Sequence, residues 1–120
     1  MKVANVSFVA VPVTEMDRSR KFYEGIIGLT KSRDFMDGKW VEYDLGSTTL
    51  ALVPASDDWK PAANGIGVAL EMENLDEAVA ELKKAGVEFF WEVFESPVCR
   101  MALVLDPDGN RIGIHKLKDA

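Results

Sequence analysis

Residues 103–115, LVLDPDGNRIGIH, decide how this chain is read. Two apolar stretches, Met101-Leu103-Leu105 and Ile112-Ile114, alternate on either side of a polar turn, Asp106-Pro107-Asp108-Gly109-Asn110. Pro107 presets its own φ, Asp108 tolerates turn geometry, and Gly109 supplies a positive φ without steric cost. The segment therefore predicts a β-hairpin, with strands over 100–105 and 111–117.

Upstream of the hairpin, residues 87–94 form a further strand candidate. Before them Asn74, with Glu77 three residues on, caps an amphipathic helix bearing Leu75, Ala78, Val79, Leu82 and Ala85, which Gly86 ends. Ile66, Val68, Leu70 and Met72 alternate with Gly67, Ala69 and Glu71, the mark of a half-buried strand. The second half thus reads β-α-β-β-β. The first half repeats that order at an offset of about sixty residues. An alternating strand over 3–13 leads to a helix opened by Thr14 and Asp17, with Met16, Tyr23, Ile26 and Ile27 on its apolar stripe and Gly28 at its end. Strand candidates over 29–35, 39–45 and 48–54 follow, with Gly38 and Gly46 at the turns. Residues 55–64 lack periodicity and read as a linker, in which Trp59 either packs back on the domain or walls a pocket. Neither half can bury its helix and sheet alone. The expected fold is α+β, a single domain over 1–120. It is built of two βαβββ modules (about 3–54 and 65–118) that form curved mixed sheets with helices on the outer face.

Composition bounds the function. Apolar residues make up 48% and charged residues 28%, as in ordinary globular proteins. No apolar run approaches the roughly 20 residues of a membrane helix, and no signal peptide is read at the N-terminus. The net charge, 14 − 20 = −6, repels phosphate backbones and argues against nucleic acid; it either favours a cationic small molecule or serves solubility. The single cysteine, Cys99, fits a reducing cytoplasm. It has no neighbouring His and no basic run beyond Arg100, so it is not expected to act as a nucleophile. There is no G-x-S-x-G, no phosphate-cradling glycine loop and no C-x-x-C.

With those elements in place, VAVPVTEMDRSRKFYEGIIGL and LDPDGNRIGIHK resemble the opening and the close of vicinal oxygen chelate domains. That superfamily includes glyoxalase, bleomycin-resistance and extradiol dioxygenase proteins. The resemblance implies the paired-module fold, a homodimer, and pockets between modules or at the subunit interface. It says less about activity, because one fold hosts many chemistries. Metalloenzymes of the superfamily hold a divalent ion with His and Glu on the inner sheet face, at positions that align with Phe8, Ala51, Gly67 and Gly113. None of these four can donate to a metal. A one-residue slip does not rescue the site, because strand neighbours point to opposite faces. No metal and no cofactor is therefore expected.

If the helices cover Val9, Val11, Leu50, Leu52, Val68, Leu70, Leu103, Ile112 and Ile114, the opposite face carries Phe8, Ala10, Ala51, Val53, Gly67, Ala69, Glu71, Arg100, Ala102, Val104, Gly113 and His115. Most of these are small, which leaves a ligand-sized concavity. Phe8, Trp40 or Trp91 offers stacking faces that also attract cations. Glu42 and Asp44 either extend an acidic wall or form the solvated side of an edge strand. Glu71 lies in the pocket or at its rim, and His115 is a site residue or a strand-end surface histidine. The ligand-binding set expected from sequence is Phe8, Trp40, Glu42, Ala51, Gly67, Glu71, Arg100, Gly113 and His115. The expected function is metal-free binding of a cationic or aromatic small molecule, with a metal-free or non-standard-site lyase, isomerase or dioxygenase-related enzyme as the alternative. In that alternative Glu71 and His115 supply acid–base chemistry.

Overall fold

In the computed structural model, which describes residues 1–65 and 67–118, the chain falls into two units, Met1–Pro61 and Ala62–Ala120. Unit 1 contains β1 (Phe8–Val13), α1 (Met16–Arg20) running on as a π-helical segment (Lys21–Ile26), β2 (Arg33–Phe35), β3 (Trp40–Asp44) and β4 (Thr49–Pro54). Its sheet has the order β1-β4-β3-β2, with β1 parallel to β4 and the other pairs antiparallel. The register pairs Val11 with Leu52, Val41 with Leu52 and Tyr43 with Leu50. Period two therefore collects Val9, Val11, Val41, Tyr43, Leu50 and Leu52 on one face, and α1 packs over β4. Tyr23 stacks on Tyr43 at 6.5 Å between ring centroids, and Phe22 meets Tyr23 edge-on at 5.0 Å. Each such buried ring contributes about 1.5–3 kcal/mol.

Four expectations for this unit change, the first being that β1 begins at Phe8 rather than at residue 3. The first helix has Glu15, not Thr14, at its N-cap, and makes no side-chain cap bond there; the Thr14 hydroxyl instead accepts from Arg18 at 3.1 Å. Its second half is π-helical: the Ile27 N–H donates to the Phe22 carbonyl, five residues back, at 2.9 Å. The wider turn moves the phase by about one residue, so the adjacent Phe22 and Tyr23 are both buried. The apolar stripe read from the sequence lacked Phe22 for that reason. Finally, β2 begins at Arg33 rather than at residue 29. The chain between is held by single bonds, Leu29 N–H to the Tyr23 carbonyl and Ser32 N–H to the Glu42 carbonyl, and never enters a ladder.

Unit 2 contains β5 (Val68–Glu71), α2 (Leu75–Lys84), β6 (Phe89–Glu95), β7 (Cys99–Leu105) and β8 (Arg111–Leu117), in the sheet order β5-β8-β7-β6. Ile66, the expected start of β5, lies outside the described residues. Asn74 caps α2 as its sequence predicts, accepting from the Glu77 N–H at 3.0 Å. The helix buries Leu75 and Leu82 against β8 and β7. In the hairpin Asp106 is buried, and one carboxylate oxygen accepts from the backbone N–H groups of Asp108 (2.9 Å) and Asn110 (2.8 Å). Its other oxygen accepts from the Asn110 amide at 3.0 Å, and Gly109 takes the positive φ, 83°. The turn is thus self-satisfied and closes on the pair Leu105 and Arg111.

That register corrects the phase expected for β7. Ala102 pairs with Ile114 and Val104 with Ile112, so Arg100, Ala102 and Val104 share the face that α2 covers. Leu103 pairs with Gly113 and lies on the opposite face. Residues 101–105 are apolar without a break, so their pattern has no period-two signal to set the phase; only the hairpin register does. Among the described residues, no helix is long and apolar enough to cross a membrane.

Candidate functional site

The sheet face of unit 1 turned away from α1 is set out by its register. Ala10, Ala51, Glu42 and Arg33 form one row across all four strands. Phe8 and Trp40 stand on the same face, with ring centroids 5.9 Å apart and planes at 68°. Trp59 continues the series, 6.4 Å from Trp40 at 67°, so the linker tryptophan packs back on its own unit. Edge-to-face contacts of this kind add about 0.5–1.5 kcal/mol each beyond the area they bury. The outer rings stay open: Phe8 is 45% and Trp59 42% exposed.

Glu42 is 8% exposed and lies beneath this wall. Its carboxylate accepts from Arg33 Nε at 2.7 Å and from the Trp40 indole N–H at 2.9 Å. The Arg33 guanidinium, then the indole, hold its carboxyl below the usual range. A buried carboxylate paired in this way has no charge left over for a ligand. The expected acidic wall at Glu42 is accordingly a clamp on the Trp40 ring. Ala51 is fully buried between Ala10 and Glu42 and offers no polar atom.

In unit 2 the face turned away from α2 carries two adjacent rows. Glu71, His115, Met101 and Phe94 form one; Ala69, Gly113, Leu103 and Trp91 form the other. Glu71 and His115 are in contact, with Oε1 2.5 Å from Nδ1. The second carboxylate oxygen accepts from the Leu117 N–H at 2.8 Å. That backbone donor, then the imidazole, hold the Glu71 carboxyl below its ordinary range. Gly67 precedes β5, hard against the Arg111 carbonyl, which lies 3.1 Å from where a Cβ would stand. At Gly113 a Cβ would lie 3.0 Å from the Ala69 Cβ and 3.4 Å from the Met101 sulfur.

Arg100 does not belong to either site. It lies on the α2 side of its sheet and bonds Asp76 at 3.0 Å, with Glu95 at 3.9 Å. The structure therefore brings together Phe8, Trp40, Glu42 and Ala51 in unit 1, and Gly67, Glu71, Gly113 and His115 in unit 2. Sequence reasoning missed Arg33, Met101 and Phe94, whose places depend on register. A solvent-open hollow of about 520 Å³ also lies between the start of α1 and the β2–β3 turn, lined by Glu15, Asp17, Arg20, Asp37 and Lys39 among others, with none of the expected site residues.

By the resemblance drawn from the sequence, metal ligands would fall at Phe8, Ala51, Gly67 and Gly113, none of which has a donor side chain. Among the described residues no three His, Cys, Asp or Glu side chains converge as a metal would need. The residues present do not fit that metal site.

Comparison with known proteins agrees with the fold. The model of the Glyoxalase/Bleomycin resistance protein/Dioxygenase superfamily matches residues 5–114. Among solved structures, TnmS3, an antibiotic binding protein from Streptomyces sp. CB03234, is similar over 98% of this chain and 99% of its own, at 27% identity and a TM-score of 0.82. A glyoxalase/bleomycin resistance protein from the same Streptomyces sp. CB03234 is 30% identical over 92% of this chain and 98% of its own, with a TM-score of 0.75. A superfamily member from Sphaerobacter thermophilus DSM 20745 shares the fold at 24% identity, covering 95% and 98% of the two chains, with a TM-score of 0.78. A search of the curated proteins found no match.

Proposed function

The chain belongs to the Glyoxalase/Bleomycin resistance protein/Dioxygenase superfamily, and from that premise we propose that it is a metal-free binder of flat aromatic compounds, in the manner of the antibiotic-binding members. The observation that carries this reading is the wall Phe8–Trp40–Trp59 on the sheet face of unit 1. Its outer rings are open to solvent, and its central ring is clamped by a carboxylate already neutralised by Arg33. Such a surface gives rigid stacking area at small entropic cost. A cationic arm on the ligand is attracted by the ring faces and by the net charge of −6. The antibiotic-binding neighbour TnmS3 supports small-molecule binding as the function of this chain. The reading includes a homodimer in a reducing cytoplasm, in keeping with the single Cys99.

The test is calorimetry of the full chain against a panel of polyaromatic and cationic antibiotics, with tryptophan fluorescence as a second readout. At least one compound binds and quenches the fluorescence, and Trp40→Ala weakens it about ten-fold or more. A panel in which nothing binds overturns the reading. Light scattering on the same sample checks the dimer.

A further inference from the structure

Two hollows adjoin along the first helix of unit 1, and no residue of the aromatic wall lines either. One, of about 520 Å³, lies between the start of α1 and the β2–β3 turn, with Asp17, Arg20, Asp37 and Lys39 in its lining. The other, of about 430 Å³, runs on over the π-helical segment and is lined by Asp17, Arg20, Lys21, Glu24 and Gly25. Asp17 and Arg20 belong to both, so the hollows form one groove. Gly25 is the member that its own fold does not explain. It has no positive φ, and nothing lies within 4 Å of the place a Cβ would take. Alanine would hold the helix better, because glycine loses more backbone freedom on folding. No neighbour in the chain needs the room of the missing methyl, and a bare glycine lets a ligand come close to the backbone.

The charges of the groove divide into spent and unspent. Arg20 donates to Glu24 at 2.6 Å and 3.1 Å, and Glu24 also accepts from the Tyr43 hydroxyl at 2.9 Å. Glu15, at the groove's edge, pairs with Arg18 at 3.2 Å. Among the described residues, no side-chain hydrogen bond or ion pair engages Asp17, Lys21, Asp37 or Lys39. The end toward the β2–β3 turn holds two unspent acids and one unspent lysine, a balance of 1 − 2 = −1. At the other end Lys21 stands one turn of helix from Gly25.

We propose that this groove binds a short zwitterionic peptide, its ammonium between Asp17 and Asp37, its last residue over Gly25 and its carboxylate on Lys21. Asp17 and Gly25 are eight residues apart, about 12 Å along a helix, which is the reach of three to four extended residues. A single amino acid is too short to engage both ends. One exposed ion pair is worth no more than about five-fold in affinity, so a lone amine or a lone carboxylate is not held. A metal ion is not held either, because among the described residues no three acidic, His or Cys side chains converge. The site uses the helix side of unit 1 and does not rest on the aromatic wall.

Titration of the full-length protein with triglycine, followed by nuclear magnetic resonance, tests this. The backbone amides of Asp17, Lys21, Gly25 and Gly38 should shift together and saturate. N-acetyltriglycine and triglycine amide, each lacking one terminal charge, should bind about two- to five-fold more weakly. Asp37→Asn should weaken triglycine and leave N-acetyltriglycine unchanged. Gly25→Leu, which fills the groove at an exposed position, should abolish the shifts, with circular dichroism confirming the fold. Trp59→Ala, in the aromatic wall, should leave them in place. No saturable shift, equal binding of the three peptides, Asp37→Asn acting alike on triglycine and its acetylated form, or binding that survives Gly25→Leu or vanishes in Trp59→Ala each overturns the proposal.

Discussion

Glu42 and Gly113 show how single residues set the two faces. Glu42 loses its hydration on burial and recovers it as two hydrogen bonds, one of them from a cation. Because its folded pKa is depressed, the stabilisation it brings is present above the ordinary carboxylate range and is lost as pH falls through the depressed value. Thermal midpoints measured from pH 7 to pH 3 should show this: Glu42→Gln is less stable than the parent at pH 7 and has a flatter acid limb. Gly113→Ala presses a methyl against Ala69 and should cost about 1–3 kcal/mol in chemical denaturation. Residue type alone shows that Phe8, Ala51, Gly67 and Gly113 carry no donor side chain, while their choice as metal positions rests on the resemblance to the superfamily. The roles of Glu42 and Arg100 were not legible, because each is defined by a partner on another element, Arg33 for one and Asp76 for the other. Period two says which side of a strand a residue takes only once the phase is known.

At the scale of elements, glycines and caps marked the boundaries well. Asn74 opens α2, and the positive φ angles of Gly28, Gly46, Gly86 and Gly109 fall where the sequence places turns or helix ends. Asn74→Ala should lower stability by about 1 kcal/mol in urea unfolding. The β2–β3 turn was legible through Gly38, but its full geometry was not: Met36 and Asp37 take φ of 55° and 56° as the central pair of a turn closed by the Gly38 N–H on the Phe35 carbonyl. A left-handed methionine costs about 1–2 kcal/mol. Met36→Asn, the residue such turns favour, should therefore raise the thermal midpoint by a few degrees. The π-helical segment gave no signal in the composition of KFYEGI, since its phase shift follows from packing two adjacent rings, Phe22 and Tyr23, toward one sheet. In β6, register irregularities between Phe89 and Trp91 and between Trp91 and Phe94 hid the row positions of the aromatics in the same way.

Across the whole molecule, the repeat of element order fixes the plan of each unit, and the sheet orders β1-β4-β3-β2 and β5-β8-β7-β6 follow it strand for strand. The charge of −6 acts at this scale as well. Affinity for a cationic aromatic should fall as salt is raised from about 0.01 M to 0.15 M, where the screening length shrinks from about 30 Å to 8 Å, and a neutral analogue should respond much less; isothermal titration at several ionic strengths checks this. The knot of bonds around Asp106 bears on how such a protein can change over generations. It ties the length of one short loop to the side of the sheet on which His115 emerges. Substitutions along the two rows can retune the face one side chain at a time. A single codon gained or lost in that loop would turn His115 and Gly113 toward α2 and present Ile112 and Ile114 to solvent. Divergence of this surface is thus open to point mutation and closed to insertion and deletion.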